Sequence, residues 1–484
     1  MVSPSTITRV VGVEATFRNF NAGKAAMLNQ RLSVIGVGND DVQYDLNKAE
    51  YFSAAKVGEK FGWGSPLHLV AQQLLPATGA SAEFPVTIIP LPKEKNAVPA
   101  IGKICVLGNA TANGSGTVYI GGIPAQFAVL KDQKASEVIK SIKDAINGEL
   151  AMPAKCGEGI DLPLTAKWSG DIGNMITVEI EASVPGLTFA TQNFECGSID
   201  PAVDSALEKI GIAWETFILN TFSYKDTSRL DKYLNFTEGR WGVLEKKPCL
   251  VAHGCTDDLE TRTKITGLRE NDSANFLITS VGSRELPFVI AAKGLISDII
   301  TTANRNPAQN YKGRLTELHC GTDEVQEGTA QLNASIMAGA SNNIKSGNVA
   351  ELNDIVTFFH PISEGKYPSK RYVVDIVKLM NIIYNVRLIM EQDSLKGAPL
   401  VSDDTITANP AAVQPKDVKT MFYNLADSLA LAAIIQEPGF TKKRMTVKID
   451  SENPKRLNVE FPVKLSGNVE VSSTDIYFGF YLGE

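Results

Sequence analysis

The chain has 484 residues, too many for one hydrophobic core, so two to four domains are expected. Charged residues make up 21% and hydrophobic ones 44%, a balance ordinary for a folded globular protein. The net charge of −7 argues against nucleic acid as the main partner, because phosphate binding needs a basic surface.

The start, "MVSPSTITRVVGVEATF", lacks a basic n-region followed by an apolar run, so no signal peptide is expected. No apolar run approaches the ~18–20 residues of a membrane span. Residues 5–23 alternate and end in turn residues. Ile7, Val11, Val13, Ala15 and Phe17 share a parity, which predicts an extended N-terminal arm. "LNQRLSVIGVGND" reads as a short buried strand. Two helical runs follow in "NKAEYFSAAKVGEKFGWGSPLHLVAQQLLPA". Gly62 and Gly64 break the first, and Ser65 with Pro66 suits N-cap and N1 of the second.

Residues 95–197 change character. Short strands ("GKICVLG", "GTVYIGGIP", "QFAVL", "LTAKW", "MITVEIEA") are separated by Gly, Asn and Ser turns, with one helix, "ASEVIKSIKDAING". This predicts an inserted β-rich domain. Residues 200–300 alternate helix and strand, ending in the helix "LPFVIAAKGLISDIITTAN", which predicts an α/β layer with parallel strands. Beyond residue 325, "DIVTFFHP" and "RYVVDIV" read as strands. Long helices are expected around 376–393 and 415–436, then a last β region.

In that region "RMTVKID" and "RLNVEFPVKL" alternate apolar and polar residues. The terminal stretch begins with Val469 and Val471 on odd positions, then places Ile476, Phe478, Phe480 and Leu482 on even ones. A period-2 pattern changes face only through a bulge, bend or turn, expected here at Ser472 to Asp475. Chain ends are usually polar and frayed unless something ties them down, so this apolar end is expected to pair with a sheet. Self-capping within its own domain is the bland reading.

Chemistry-bearing motifs are scarce. A phosphate loop, a GxSxG elbow, an HExxH helix and a DxDxDG calcium loop do not occur. "GNATANGSG" reads as a turn loop, and "PLPKEKNAVP" as a polar linker. The six cysteines are scattered without a CxxC, which suits free thiols better than a disulfide framework. Cys249, His253 and Cys255 share one strand parity, the densest ligand-like group. The stronger reading makes Cys249 a small core residue and puts His253 at a strand end. Catalytic residues, cofactor and metal are therefore expected to be none. The rival reading is an enzyme with its site at the strand ends of the 200–300 unit.

"AAKVGEKFGWGSPLHLVAQQLLPA", "LTAKWSGDIGNMITVEI", "YLNFTEGRWGVLEKKPCLVAHG" and "ENPKRLNVEFPVKL" together resemble the contractile tail sheath proteins of tailed bacteriophages, of the Mu-like type. The likeness runs through nearly the whole chain. It departs at "NPAQNYKGRLTELHCG" and "LNDIVTFFHP". The resemblance implies an α/β and α+β multidomain chain: a sheath core built from N- and C-terminal parts, an inserted β-rich domain, and extended arms at both ends. The segments are an N-terminal arm 1–23, core 24–94, insert 95–197, α/β domain 198–324, C-terminal core 325–466 and C-terminal donor strand 467–484. It further implies hexameric rings stacked around a tail tube, in a virion tail assembled in the host bacterial cytoplasm. The implied partners are neighbouring sheath subunits, the tube protein, and baseplate and tail terminator proteins, with no nucleic acid and no membrane insertion. A related contractile injection system carries the same implications. The arms are implied to add strands to neighbours' sheets. The C-terminal interface would then use Ile476, Phe478, Phe480 and Leu482, and the N-terminal one Val11, Val13 and Phe17. "NAG" (21–23) and "LSGN" (465–468) are the expected hinges beside the arms.

Overall fold

A computed structural model of the chain describes residues 25–77, 86–159, 161–242, 245–361 and 370–469. The chain divides into two compact units, Leu28–Met380, and Met1–Met27 together with Asn381–Glu484.

The larger unit begins with β1 (Leu32–Val37), β2 (Ala49–Tyr51), α1 (Ala54–Phe61), α2 (Pro66–Leu74) and β3 (Val86–Leu91). Ser65 caps α2 as its sequence predicts, its side chain accepting from the His68 backbone N–H at 3.2 Å. The β-rich stretch follows with β4 (Pro99–Gly108), β5 (Gly114–Ile120), β6 (Ile123–Val129), α3 (Ala135–Gly148), β7 (Ala154–Cys156), β8 (Leu162–Ser169), β9 (Val178–Ala182) and β10 (Leu187–Glu195). It forms a four-stranded sheet, β10-β4-β8-β7, and a three-stranded one, β6-β5-β9, all antiparallel. The helix α3 lays Val138, Ile139, Ile142 and Ile146 inward, the i, i+4, i+8 stripe of an amphipathic helix.

Next come α4 (Asp204–Ile210), β11 (Phe217–Asn220), α5 (Thr227–Trp241), β12 (Leu250–Cys255), α6 (Leu259–Thr266) and β13 (Asn275–Thr279). These strands join the first ones in a six-stranded sheet ordered β13-β12-β11-β1-β3-β2. All neighbours run parallel except β2 on β3. Every residue of β1, β3, β11, β12 and β13 is buried. That is why these strands read as continuous apolar runs rather than alternating ones: helices cover a parallel sheet on both faces. The closing helix is α7 (Pro287–Gly294), a π-helical turn Leu295–Ile300, and α8 (Thr301–Arg305). Helices α2 and α7 pack on each other and on β1 and β12.

The rest of the chain departs from its sequence reading in three places. A three-stranded sheet, β14 (Arg314–His319), β15 (Asn342–Ser346) and β16 (Val349–Asp354), with α9 (Thr329–Met337), precedes "DIVTFFHP". Only its first residue, Asp354, belongs to β16; beyond it the segment makes isolated bridges at Val356 and Thr357. "RYVVDIV" is not a strand either: after a bridge at Tyr372 it turns into α10 (Val373–Met390). Val373, Ile376, Val377 and Met380 are buried at i, i+3, i+4 and i+7, so the helical period overrides the β preference of Val and Ile. Finally, α11 (Pro415–Leu431) stops short of 436, and β17 (Ile435–Gln436), α12 (Pro438–Arg444), β18 (Thr446–Ile449), β19 (Leu457–Glu460) and β20 (Lys464–Leu465) complete the smaller unit. "RLNVEFPVKL" is split at Pro462, which has no N–H to give a ladder.

Candidate assembly surfaces

The ligand-like trio resolves into core packing. His253 lies inside β12, not at its end, and is fully buried. Its Nε2–H donates to Asn275 Oδ1 at 2.9 Å, and its Nδ1, 3.0 Å from Asn220 Nδ2, accepts from that amide. Tyr233 O–H donates to Asn220 Oδ1, and Asn275 Nδ2 donates to Asp272. Both ring nitrogens are thus engaged by neighbouring strands, and burial holds the imidazole neutral, its pKa lowered to about 4. Cys249 and Cys255 are buried, with thiols pushed up to about 12 and about 11 by desolvation, which keeps them from ionising.

The strand ends that an enzyme would use are also engaged. After β11, Tyr224 O–H donates to Asp257 at 2.7 Å, and Lys225 pairs with the same carboxylate at 2.8 Å. After β13, Ser280 Oγ donates to the His319 carbonyl, and the Val281 N–H to Asn343 Oδ1. A pocket beyond β1 and β3 measures about 220 Å³, lined by Asn39, Asp40, Tyr44, Lys93 and Ser169. That is below the roughly 300–1,000 Å³ typical of small-molecule sites.

The places where the two termini leave the described structure are informative. Ala26 and Asn385 of α10 exchange two hydrogen bonds, backbone N–H to Oδ1 and Nδ2 to carbonyl, both 2.8 Å. Ala26, near the first described residue, therefore lies against the side of α10. At the other end β20 pairs antiparallel with β17, Leu465 opposite Ile435. Ser466 continues the contact, its N–H donating to the Ile434 carbonyl at 3.2 Å. Leu465 and Ser466 of the expected hinge thus belong to a ribbon. Val469, just beyond, is 89% exposed.

The ribbons themselves are slight. Among the described residues, β17–β20 and β18–β19 are each sheets of two strands. No residue of β18, β19 or β20 is fully buried. Helix α11 supports one side, with Phe422 edge-on to Phe461 at 5.2 Å. Beside the β18–β19 turn lies an open groove of about 600 Å³ lined by Met390, Leu395, Leu400, Val413, Val418 and Leu457. Two-stranded ribbons are at best marginal on their own, so among the described residues this unit has strand edges suited to a further strand. The expected interface residues Ile476, Phe478, Phe480 and Leu482, with Val11, Val13 and Phe17, lie outside the described residues, as do the predicted break at 472–475 and the 21–23 hinge.

Sequence reading missed the polar contacts that tie the β-rich stretch to the parallel sheet, above all Asp40 with Ser169 and Arg284 with Glu181. Lys167 and Ser169 stand in the quoted "LTAKWSGDIGN", but nothing in that pattern says what they touch.

No family model matches the chain. Among curated proteins, the Mu-like prophage FluMu tail sheath protein of Haemophilus influenzae is 22% identical over 410 residues, covering 82% of each chain. The resemblance drawn from the sequence is borne out by this relative. Among solved structures, a sheath tail protein of Desulfitobacterium hafniense matches with a TM-score of 0.49 at 14% identity, covering 94% of this chain and 96% of that one. The sheath tail protein Lin1278 of Listeria innocua gives 0.48 at 11% identity, covering 92% and 94%.

Proposed function

Proceeding from its kinship with a Mu-like tail sheath protein, we propose that the chain is the structural subunit of a contractile phage tail sheath. The observation that carries this reading is the relationship over 82% of both chains, which no local motif would produce. Subunits polymerise as stacked hexameric rings around a tail tube, joined by N- and C-terminal strand exchange. Contraction drives the tube through the host envelope. The partners are neighbouring copies, the tube protein, and baseplate and terminator proteins of the tail.

Two features support strand exchange. The unit from which both termini depart holds only two-stranded ribbons among its described residues. The terminal segment carries the apolar stripe Ile476, Phe478, Phe480 and Leu482. Each such side chain contributes ~1.5–3 kcal/mol when buried, and each backbone bond ~0.5–1.5 kcal/mol net. Ordering the strand costs ~1–2 kcal/mol per residue. Each joint is therefore only modestly favourable, and the lattice gains its strength by repetition. Energy for contraction lies in the difference between two packings of the same subunits, so no nucleotide is required.

Deleting residues 475–484 tests the reading. The truncated chain should stay folded by circular dichroism yet form no tubes in negative stain, where the intact chain does. Tubes from the truncated chain would end the strand-exchange reading. An unfolded product would favour self-capping.

A further inference from the structure

Between α10 and α11 the smaller unit sends out a loop in which every residue from 402 to 411 is exposed. Ile406, midway along it, is 100% exposed, so nothing in its own chain covers it. One exposed apolar residue is ordinary on a protein surface. Its support is not. A loop this exposed would fray without ties, yet this one is braced from within. At its foot the Val401 N–H donates to the Val413 carbonyl at 3.1 Å, and the Val413 N–H to the Pro399 carbonyl at 2.9 Å. Gln414 Nε2 donates to the carbonyls of Ser402 and Thr405 at 3.1 and 2.9 Å, and the hydroxyls of those two residues meet at 2.8 Å. The Lys416 N–H donates to Asp403 Oδ1 at 2.9 Å, and the Ala411 N–H to Asn409 Oδ1 at 3.0 Å. The loop thus holds Ile406 in water at a fixed place, with Asp403 and Asp404 beside it.

The foot of the same loop walls the open groove of about 600 Å³, where Leu400 and Val413 stand with Met390, Leu395, Val418 and Leu457. That volume falls within the roughly 300–1,000 Å³ in which proteins seat ligands. The opposite lip is the β18–β19 turn, with Pro454 and Lys455. Of the two acids in that turn, Asp450 is engaged: it accepts from Asn458 Nδ2 at 2.7 Å and from the N–H groups of Glu452 and Asn453 at 3.0 Å. Against the remaining Glu452, the exposed Lys455 and Arg456 leave the lip positive.

We infer that the Ile406 loop is a preformed knob that seats in this groove on a second copy of the chain, Ile406 entering the apolar floor and Asp404 meeting Lys455. The knob does not fill the groove at its own foot, because Ile406 is wholly exposed. The charges match in sign, acidic on the loop and basic on the lip. A loop already braced loses little freedom on docking, so more of the contact energy remains as affinity. Knob and groove are different patches, so each copy that donates a knob keeps its own groove open for the next. Such a head-to-tail contact propagates into rings or filaments instead of closing on a pair. It uses no residue of either terminus and is separate from the strand exchange proposed above.

The test uses the full-length chain with the photo-cross-linker p-benzoylphenylalanine in place of Ile406, mixing copies of natural and heavy nitrogen. After irradiation of the concentrated protein, mass spectrometry should find position 406 joined to peptides from 390–400 or 454–457, in mixed-isotope pairs. Same-copy products alone, peptides from elsewhere in the chain, or no copy-to-copy product would each overturn the inference. By sedimentation, Ile406→Asp should weaken self-association roughly tenfold with an unchanged circular dichroism spectrum, since the side chain packs against nothing in the subunit. Asp404→Lys and Lys455→Glu should each weaken it about threefold, and the two combined should restore it. Losses that simply add in the double variant overturn the pairing. The cross-link is read in chains with intact termini, and strand exchange by removing residues 475–484, so either reading can fail without the other.

Discussion

Buried titratable groups set opposing pH dependences in the larger unit. His253 and His68 both have pKa values lowered to about 4 by desolvation. Their native forms bind fewer protons than the unfolded chain below its ordinary value near 6.5, so stability falls as pH drops from about 6.5 to about 4. Asp298 behaves oppositely. It is 2% exposed in the π-helical turn, with Oδ2 lacking a hydrogen-bond partner, and burial raises its pKa to about 7 despite the Arg314 charge. The native state holds that proton more tightly than the unfolded one. Its contribution is complete below the unfolded value of 3.8 and is lost as pH climbs to about 7. Asp298→Asn should therefore raise stability at pH 8 by roughly 1–3 kcal/mol and leave it nearly unchanged near pH 4. Urea midpoints at the two pH values decide this; an equal shift at both would mean that the charge is not the cause.

At the scale of elements, close approach of backbones matters more than propensity. Helix α7 starts at Pro287 and rests on β12, where Gly254 leaves no room: a Cβ there would come within 1.6 Å of the Pro287 carbonyl oxygen. Neither atom is on a flexible side chain, so the helix itself must shift. Gly254→Ala should cost more than ~3 kcal/mol, seen as a large fall in melting temperature. An unchanged melting curve would mean that α7 does not seat there. The sequence made much of this layer legible. Ser65-Pro66 announced α2, and the alternation from 200 to 300 announced parallel strands, because caps and full burial leave local signatures. The β14–β16 sheet was not legible, since β15, "NNIKS", has neither alternation nor an apolar run. The body of α10 was legible as a helix around 376–393, but its first turns were read as the strand "RYVVDIV", whose Val and Ile favour strands locally and yield to helical packing. The contacts of Asp40 with Ser169 and of Arg284 with Glu181 join residues more than 100 apart in the chain, and no short pattern encodes such a distance.

For the whole molecule, the contrast between its sheets bears on assembly. Strands β11, β12 and β13 are buried throughout and hydrogen-bonded within their sheet. Strands β18, β19 and β20 are half exposed, in ribbons of two. Local opening free energy follows burial and ladder completeness, so the ribbons should open far more often than the parallel sheet in an isolated subunit. If a neighbour's strand completes them in the polymer, their amides gain ladder partners and lose water. Hydrogen exchange on isolated subunits and on tubes separates the possibilities. Amides in 446–449, 457–460 and 464–465 should slow at least tenfold on assembly, while those of β11–β13 stay as slow as before. Equal exchange of the ribbons in both states would place the subunit contacts elsewhere on the surface. Uniform slowing of both sheets would point to global stabilisation rather than an added strand.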